Sequence, residues 1–429
     1  MWSANEKVAY EEALGMSYVG GRALVSMKHV GLNVAMDPFM SSALTGAVGG
    51  LVLAVGDDPG MHSSQNEQDS RCLADFAKIP VFEPSTQQEC YDMTREAFDL
   101  SEKQGIPVML RLVTRLSHSR SPVTLRPPHE RPSSLEPKPL PDPNDWTLVP
   151  INARRRYQRL LQLQKDLLAQ SEWSPYNILK LKGRRGIICT SVGYNYVREA
   201  LGPTHNDSIL RIGFYPIPKK LIARLAEHCT ELLVIEEGYP FIESLLPLLL
   251  SSPKEIYGRL DGTIPFAGEL QPDIVARALG QTTQPSAPTD PIVTGRPPQF
   301  CRGCPHSSSM NALVDATSGY ERALLFSDIG CYALGVMPPY RSVHSAVDMG
   351  SSIGMAHGAS RAGAHPVVCT IGDSTFAHSG MTALLGAVHG DADITVIILD
   401  NATTAMTGAQ ESMATGEQLI QLLKGLGVK

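Results

Sequence analysis

The chain has 429 residues, 43% of them hydrophobic and 19% charged, with a formal net charge of -6. Two or three globular domains are the natural expectation. The mild, dispersed acidity excludes a nucleic-acid surface and a polybasic membrane anchor. Eight cysteines scattered over this length make no disulfide framework. No apolar run is long enough to span a bilayer. Met1 is followed at once by a polar, acidic helical pattern rather than a secretory leader. A cytoplasmic, reducing setting is therefore expected.

Residues 3–16, SANEKVAYEEALGM, read as a helix that Ser3 or Asn5 could cap. Apolar, strand-like runs then alternate with small-residue helices: GGLVLAVGDD (49–58), KIPVFEPS (78–85) and GIPVMLRLVT (105–114). Short apolar strands separated by helical lengths predict a parallel α/β sheet. Near residue 121 the composition shifts to SPVTLRPPHERPSSLEPKPLPDPNDW, a Pro-rich linker or surface excursion. NARRRYQRLLQLQKDLLAQSEWSP (152–175) follows as a basic amphipathic helix lying on the protein. A second α/β unit starts at RRGIICTSVGYNYVREAL (184–201) and continues through SILRIGFYPIP (208–218) and TELLVIEEGY (230–239). The stretch 280–299 reads as a second linker, and a third α/β unit runs from Phe300 onward. Both ends read as cut, since the first helix has no strand before it and the last, GEQLIQLLKGLGVK, none after.

The third unit holds the most informative pattern. HPVVCTI (365–371) and DITVIILD (393–400) are buried-type strands joined by a helical stretch, HSGMTALLGAVHG (378–390). In a right-handed βαβ unit both strands point the same way. Asp373 and Asn401 then emerge at one sheet edge, where open α/β sheets bind ligands. A carboxylate with an amide oxygen suits Mg²⁺ or Ca²⁺, with a substrate diphosphate supplying further oxygens. Gly372 permits a tight turn, and a helix N-terminus after it favours phosphate. Gly-Asp-Ser alone is equally an ordinary strand-to-helix corner. HSSQN (62–66) follows a strand end, a place for substrate contacts or a capped helix start.

Gly372, Asp373 and Ser374, followed after one βαβ length by Asn401, resemble the thiamine-diphosphate signature. FCRGCPHSSSMNAL (300–313), SDIGCYALG (327–335), DMGSSIGMAHG (348–358), ILDNATTAMTG (398–408), residues 4–38 and DDPGMHSSQNEQDSR (57–71) narrow it. Together they resemble the alpha-subunit family of indolepyruvate:ferredoxin oxidoreductases, arylpyruvate members of the 2-oxoacid:ferredoxin oxidoreductases.

The resemblance implies an α/β thiamine-diphosphate-binding fold built of parallel-sheet α/β domains. These are a pyrimidine-binding domain (1–120, its N-terminal strand missing), a linker and surface helix (121–180), a transketolase-C-like domain (181–280) and a diphosphate- and Mg-binding domain (295–429, cut short). It implies Mg²⁺ on Asp373, Asn401 and the carbonyl of Thr403. It places His306, Gly330, Met349, Gly350, Gly372 and Ser374 around thiamine diphosphate. Glu6 becomes the carboxylic acid that drives the pyrimidine tautomer. Lys28 and His29 fall on a loop near the cofactor, and His62, Ser63, Gln65 and Asn66 are substrate candidates. Cys301, Cys304 and Cys331 match ligands of a [4Fe–4S] cluster in relatives, but a fourth cysteine is not evident, and a cluster wants four. The other reading is a loop that borders the cofactor with His306 beside the diphosphate. The family carries its clusters in a cysteine-rich C-terminal module. The implied activity is oxidative decarboxylation of arylpyruvates, indolepyruvate first, onto coenzyme A, with electrons passed to ferredoxin. A beta subunit and a homo-oligomeric core are the implied partners. A non-oxidative thiamine-dependent decarboxylase or synthase, or an inactive truncated assembly subunit, are the alternatives.

Overall fold

The computed structural model describes residues 2–127, 142–283, 292–295 and 297–428. The inner parts of both Pro-rich linkers, 128–141 and 284–291, lie outside the described residues. The chain forms two compact units, one of residues 6–286 and one of 287–429 together with 2–5.

The first unit contains β1 (Ala23–Lys28), β2 (Leu51–Asp57), β3 (Val81–Phe82), β4 (Val108–Val113), β5 (Ile178–Lys180), β6 (Arg185–Thr190), β7 (Ser208–Ile212), β8 (Phe214–Tyr215), β9 (Glu231–Ile235) and β10 (Glu255–Tyr257). They make two five-stranded sheets, in the orders β1-β2-β4-β3-β8 and β10-β9-β6-β7-β5. Pairing is parallel except for β3 with β8 and β5 with β7. Side-chain pattern explains the strand order. The run of β2, LVLAVGD, is apolar almost throughout and is buried on both faces at the inside of its sheet. The run of β1, ALVSMK, alternates buried and exposed positions, as an edge strand should. In the second sheet the central β6 and β7 are buried along nearly their whole length, while the edges β5 and β10 are half-exposed.

Local rules set the helices. The helix Gln87–Gln104 starts at Thr86, whose side chain accepts from the Glu89 N–H, and stops at Gly105 with φ 62°. The helix Pro150–Trp173 is less superficial than its basic composition suggests. Leu160 and Leu167 are buried, and Arg156 donates to the carbonyls of Leu44 (2.7 Å) and Thr45 (2.6 Å). That arginine satisfies carbonyls at the end of the helix Met36–Thr45, which has no further turn of N–H groups to donate to them.

One feature of this unit has no sequence signature. Arg71 and Arg111 are among its largest fully buried side chains. Arg111 pairs with Asp57 at 2.6 Å and with Glu83, and donates to the Glu237 carbonyl at 3.0 Å. Arg71 pairs with Asp69 and with Glu236 (2.9 Å), and donates to the carbonyls of Glu237 and Tyr239. The hub thus ties the ends of β2 and β4 to the end of β9, joining the two sheets. Burial pushes the Glu237 carboxyl up to about 7. Truncating one partner of such a network leaves charges buried and unpaired. Arg111→Ala is expected to destabilise the fold by about 3–5 kcal/mol, read as a lowered midpoint in urea unfolding.

The second unit holds β11 (Leu324–Ser327), β12 (Val367–Gly372) and β13 (Thr395–Leu399) in a parallel sheet ordered β11-β12-β13. β14 (Thr403–Thr404) and β15 (Gln410–Glu411) form a short antiparallel ribbon after it. The central β12, VVCTIG, is buried at every position. The helices Ser351–Arg361 and Met381–His389 pack on it through Ile353, Ala356 and Leu384. A π-helical turn, Phe376–Gly380, precedes the second of these helices.

Candidate active site

Strand register positions the second unit's candidate residues. Gly372 pairs with Leu399 across β12 and β13, so Asp373 and Asn401 leave the sheet at one edge. The two loops are cross-linked, because the Thr404 hydroxyl donates to the Ser374 hydroxyl at 2.7 Å. Tyr332 braces the same edge from the β11 side. Its hydroxyl accepts from the Gly372 N–H (2.8 Å) and donates to the Ile329 carbonyl (3.1 Å). A Cβ at Gly372 would lie 3.1 Å from the Tyr332 ring, so the glycine allows this close approach.

Asp373 itself is buried. Its Oδ1 accepts from the Ser374 N–H at 2.7 Å, while its Oδ2 is buried with no hydrogen-bond partner. Burial raises its carboxyl above the ordinary value and neighbouring Asp400 adds to that, outweighing the Ser374 and Ala402 N–H groups and the Ser412 hydroxyl, which lower it. An unpaired buried carboxylate oxygen costs stability. A hard cation would relieve it. Mg²⁺ takes one or two carboxylates and fills its octahedron with phosphate and water oxygens. Asn401 is exposed, and its Oδ1 accepts from the Thr403 N–H at 3.2 Å. Asp373, the Asn401 amide and the Thr403 carbonyl are therefore a donor set that fits Mg²⁺.

The other cofactor candidates cluster around this edge. Gly350 has φ 96°, and a Cβ there would come within 2.4 Å of the Ser379 Cβ. Gly350 N–H (2.7 Å) and Ser352 N–H (3.0 Å) both donate to the buried Asp328, which fixes the start of the helix Ser351–Arg361. Met349, just before, is half-buried. Gly330 lies tight against Tyr332, whose ring would stand 2.3 Å from a Cβ at that position. His306 packs edge-on against Tyr332 with centroids 5.8 Å apart, and burial holds its imidazole below the ordinary value. Cys301 and Cys304 form one turn, and both act electrostatically on Cys331, whose thiol burial pushes up. Among the described residues no three His, Cys, Asp or Glu side chains gather as a metal-holding group.

In the first unit, Glu6 opens the helix Glu6–Tyr18 and lies directly over Gly31. A Cβ at Gly31 would stand 2.7 Å from both Cγ and Oε1 of Glu6. Lys28 and His29, at the end of β1, meet the loop after β2. Lys28 Nζ donates to the Ser63 hydroxyl at 3.1 Å, and the His29 Nε2 lies 3.0 Å from the Asn66 carbonyl. His62 reaches Glu269 at 3.2 Å, and Gln65 is exposed. Sequence reasoning passed over Asp58, which organises this loop. It accepts from the N–H groups of His62 (3.2 Å) and Ser63 (2.9 Å) and from the Thr114 hydroxyl (2.8 Å). Burial opposes its ionisation, but these donors hold its carboxyl below the ordinary carboxylate range. The usable signal was a second aspartate directly after the last residue of an apolar strand. Asp328, which ends β11 in the same way, was missed for the same reason.

Residues 3–165 match the family model for the thiamine-diphosphate-binding region of pyruvate flavodoxin/ferredoxin oxidoreductases. Residues 328–423 match that for the C-terminal TPP-binding domain of thiamine pyrophosphate enzymes. An indolepyruvate oxidoreductase subunit IorA from Archaeoglobus fulgidus is 40% identical over 434 residues, covering 97% of this chain and 68% of that one. The chain belongs to this indolepyruvate oxidoreductase subunit family. The corresponding subunit of Pyrococcus abyssi is 38% identical over 97% of this chain and 69% of its own length. That of Methanothermobacter thermautotrophicus is 40% identical, with 95% and 68% covered. Among solved structures, a 2-oxoglutarate:ferredoxin oxidoreductase from Magnetococcus marinus is 14% identical at a TM-score of 0.49, covering 65% of this chain and 56% of that one. Membership gives the chain a thiamine-diphosphate-binding α/β fold and an oxidoreductase function within the 2-oxoacid:ferredoxin oxidoreductases. Among the described residues no helix is long and apolar enough to cross a membrane.

Proposed function

We propose that the chain carries the decarboxylating site of an arylpyruvate oxidoreductase. The reaction cleaves the C1–C2 bond of the 2-oxo acid, indolepyruvate first. CO₂ leaves, the remaining acyl group joins the sulfur of coenzyme A, and two electrons pass singly to ferredoxin. The observation that carries this reading is the buried, unpaired Asp373 Oδ2 at the edge shared with Asn401, in a chain 40% identical to a subunit named for indolepyruvate.

When bound, thiamine diphosphate supplies the electron sink for loss of CO₂. Asp373, the Asn401 amide and the Thr403 carbonyl hold Mg²⁺. Gly330, Gly350, Gly372 and Ser374 shape the backbone around the diphosphate's place, and Met349 and His306 border it. Glu6 holds the proton at its carboxyl that an aminopyrimidine nitrogen needs. The Lys28 ammonium, already steered by Ser63, receives the carboxylate of the 2-oxo acid, with His29, His62, Gln65 and Asn66 around it. Cys301, Cys304 and Cys331 are three thiols where a [4Fe–4S] cluster takes four. The reading therefore gives the electron exit to clusters carried elsewhere in the oxidoreductase. A beta subunit, ferredoxin, a homo-oligomeric core and a cytoplasmic setting belong to the same reading.

The test is an anaerobic assay of the chain with its beta subunit, Mg²⁺, thiamine diphosphate, coenzyme A and a viologen dye as acceptor. Dye reduction that requires both indolepyruvate and coenzyme A is the expected result. CO₂ release that proceeds without acceptor or coenzyme A would instead establish a non-oxidative decarboxylase.

A further inference from the structure

The first unit contains a cavity of about 280 Å³ at the edge of its second sheet, remote in sequence from the loops of the proposed active site. Its floor is set by strand register. Lys180 pairs with Ile209 and Ile178 with Arg211 across β5 and β7, so all four side chains share one face. Its wall is one side of the helix Ser191–Leu201, with Tyr194 in the first turn and Arg198 in the last, and the turn beyond it, with His205.

The charge here is one-sided. Lys180, Arg198 and His205 line the cavity, and no acid does. Neither Lys180 nor Arg198 makes an ion pair with a described residue, whereas the nearby Arg185 is paired with Asp207 at 2.6 Å. A third cation lies behind the lining. Arg211, 4% exposed, stacks on the Tyr194 ring at 4.9 Å, and its buried Nε has no hydrogen-bond partner although the guanidinium also pairs with Glu89. His205 Nδ1 accepts from the Asp207 N–H at 3.2 Å, so the neutral ring carries its proton on Nε2 and is a donor. The helix C-terminus brings partial negative charge to this end, and Arg198 in its last turn offsets it. A volume just below the usual range for small-molecule sites, with apolar Ile178 and Ile209 beside the exposed cations Lys180 and Arg198, suits a small ester with a phosphate head.

We propose that this cavity binds a phosphorylated small molecule, its phosphate held by Lys180 and Arg198 and its body resting on Ile178, Ile209 and Tyr194. This site shares no lining residue with the proposed thiamine-diphosphate site and does not rest on that function. Guanidinium and ammonium donors to phosphate are charge-assisted and salt-sensitive.

The experiment is calorimetric titration of the full chain, at low salt, with inorganic phosphate and with AMP. Thiamine diphosphate and Mg²⁺ are kept saturating so that the probe does not take the cofactor's place. Saturable binding that weakens at least about tenfold in the Lys180→Ala/Arg198→Ala double variant is expected, since each lost contact removes a charge-assisted bond. Lys180→Arg should restore most of it. Both side chains are exposed, so an unchanged thermal midpoint certifies the fold. Tighter binding of AMP than of phosphate would assign a nucleotide, and weaker binding of AMP than of phosphate a smaller phosphate ester. Absence of saturable binding in the wild-type chain, or equal binding by the double variant, would overturn the proposal.

Discussion

Asp373→Ala is expected to lose Mg²⁺-dependent binding of thiamine diphosphate by about a hundredfold or more, because even outer-shell partners of a metal ligand are worth about 10–100-fold. The same substitution should leave the cofactor-free chain as stable as before, or more stable by about 1–3 kcal/mol. The reason is the buried Oδ2, which makes no hydrogen bond of good geometry, so that the nearby Ala402 N–H and Ser412 hydroxyl do not offset its burial. A residue kept for folding would not be left with an unsatisfied carboxylate oxygen, so removing it relieves a cost. Calorimetric titration with thiamine diphosphate and Mg²⁺, beside urea unfolding of the cofactor-free chain, reads both effects. Lost binding with retained or increased stability marks a ligand-holding carboxylate. Lost binding with a large fall in stability marks a structural one and removes Asp373 from the site.

Glu6→Gln is the second large effect. A positioned acid or base contributes about 10²–10⁴-fold to a proton transfer, and kcat is expected to fall by that factor. The amide keeps the size of the side chain, so cofactor affinity should change little. Gly31→Ala gives an independent check with Glu6 intact. The added methyl would stand 2.7 Å from the Glu6 carboxylate, and displacement of that carboxylate should lower kcat in the same direction. Steady-state kinetics with cofactor saturating separate the two quantities. A Glu6→Gln variant with full kcat would remove Glu6 from the chemistry.

The part of this molecule readable in advance is the part governed by short-range pattern. β12 and β13 are continuous apolar runs, so their existence, their parallel pairing and the shared edge of Asp373 and Asn401 follow from sequence. The loop 62–66 was legible as a cluster of polar groups after a strand, and the structure adds that Lys28 and His29 meet it. β1 was available but unread, since ALVSMK alternates as an edge strand does. β3 and β8 lie inside the stretches KIPVFEPS and SILRIGFYPIP, but at two residues each they are too short for their pairing to be read from a period. The Arg71–Arg111 hub was illegible in principle. Its partners come from positions 57, 69, 83, 236 and 237, and only the folded sheets bring them together. Asp58 and Asp328 fall between these cases, because each ends a readable strand but reveals its task only through the backbone N–H groups it collects. The helix Pro150–Trp173 looks like a solvated basic face because nothing local says that Arg156 will find the open carbonyls of Leu44 and Thr45.

The most direct test of the central claim is titration of the purified full chain with thiamine diphosphate in the presence and absence of Mg²⁺. The account predicts saturable one-to-one binding that requires Mg²⁺ and is lost in Asp373→Ala. A folded chain that binds no thiamine diphosphate, or binds it equally without Mg²⁺ and in Asp373→Ala, would contradict it.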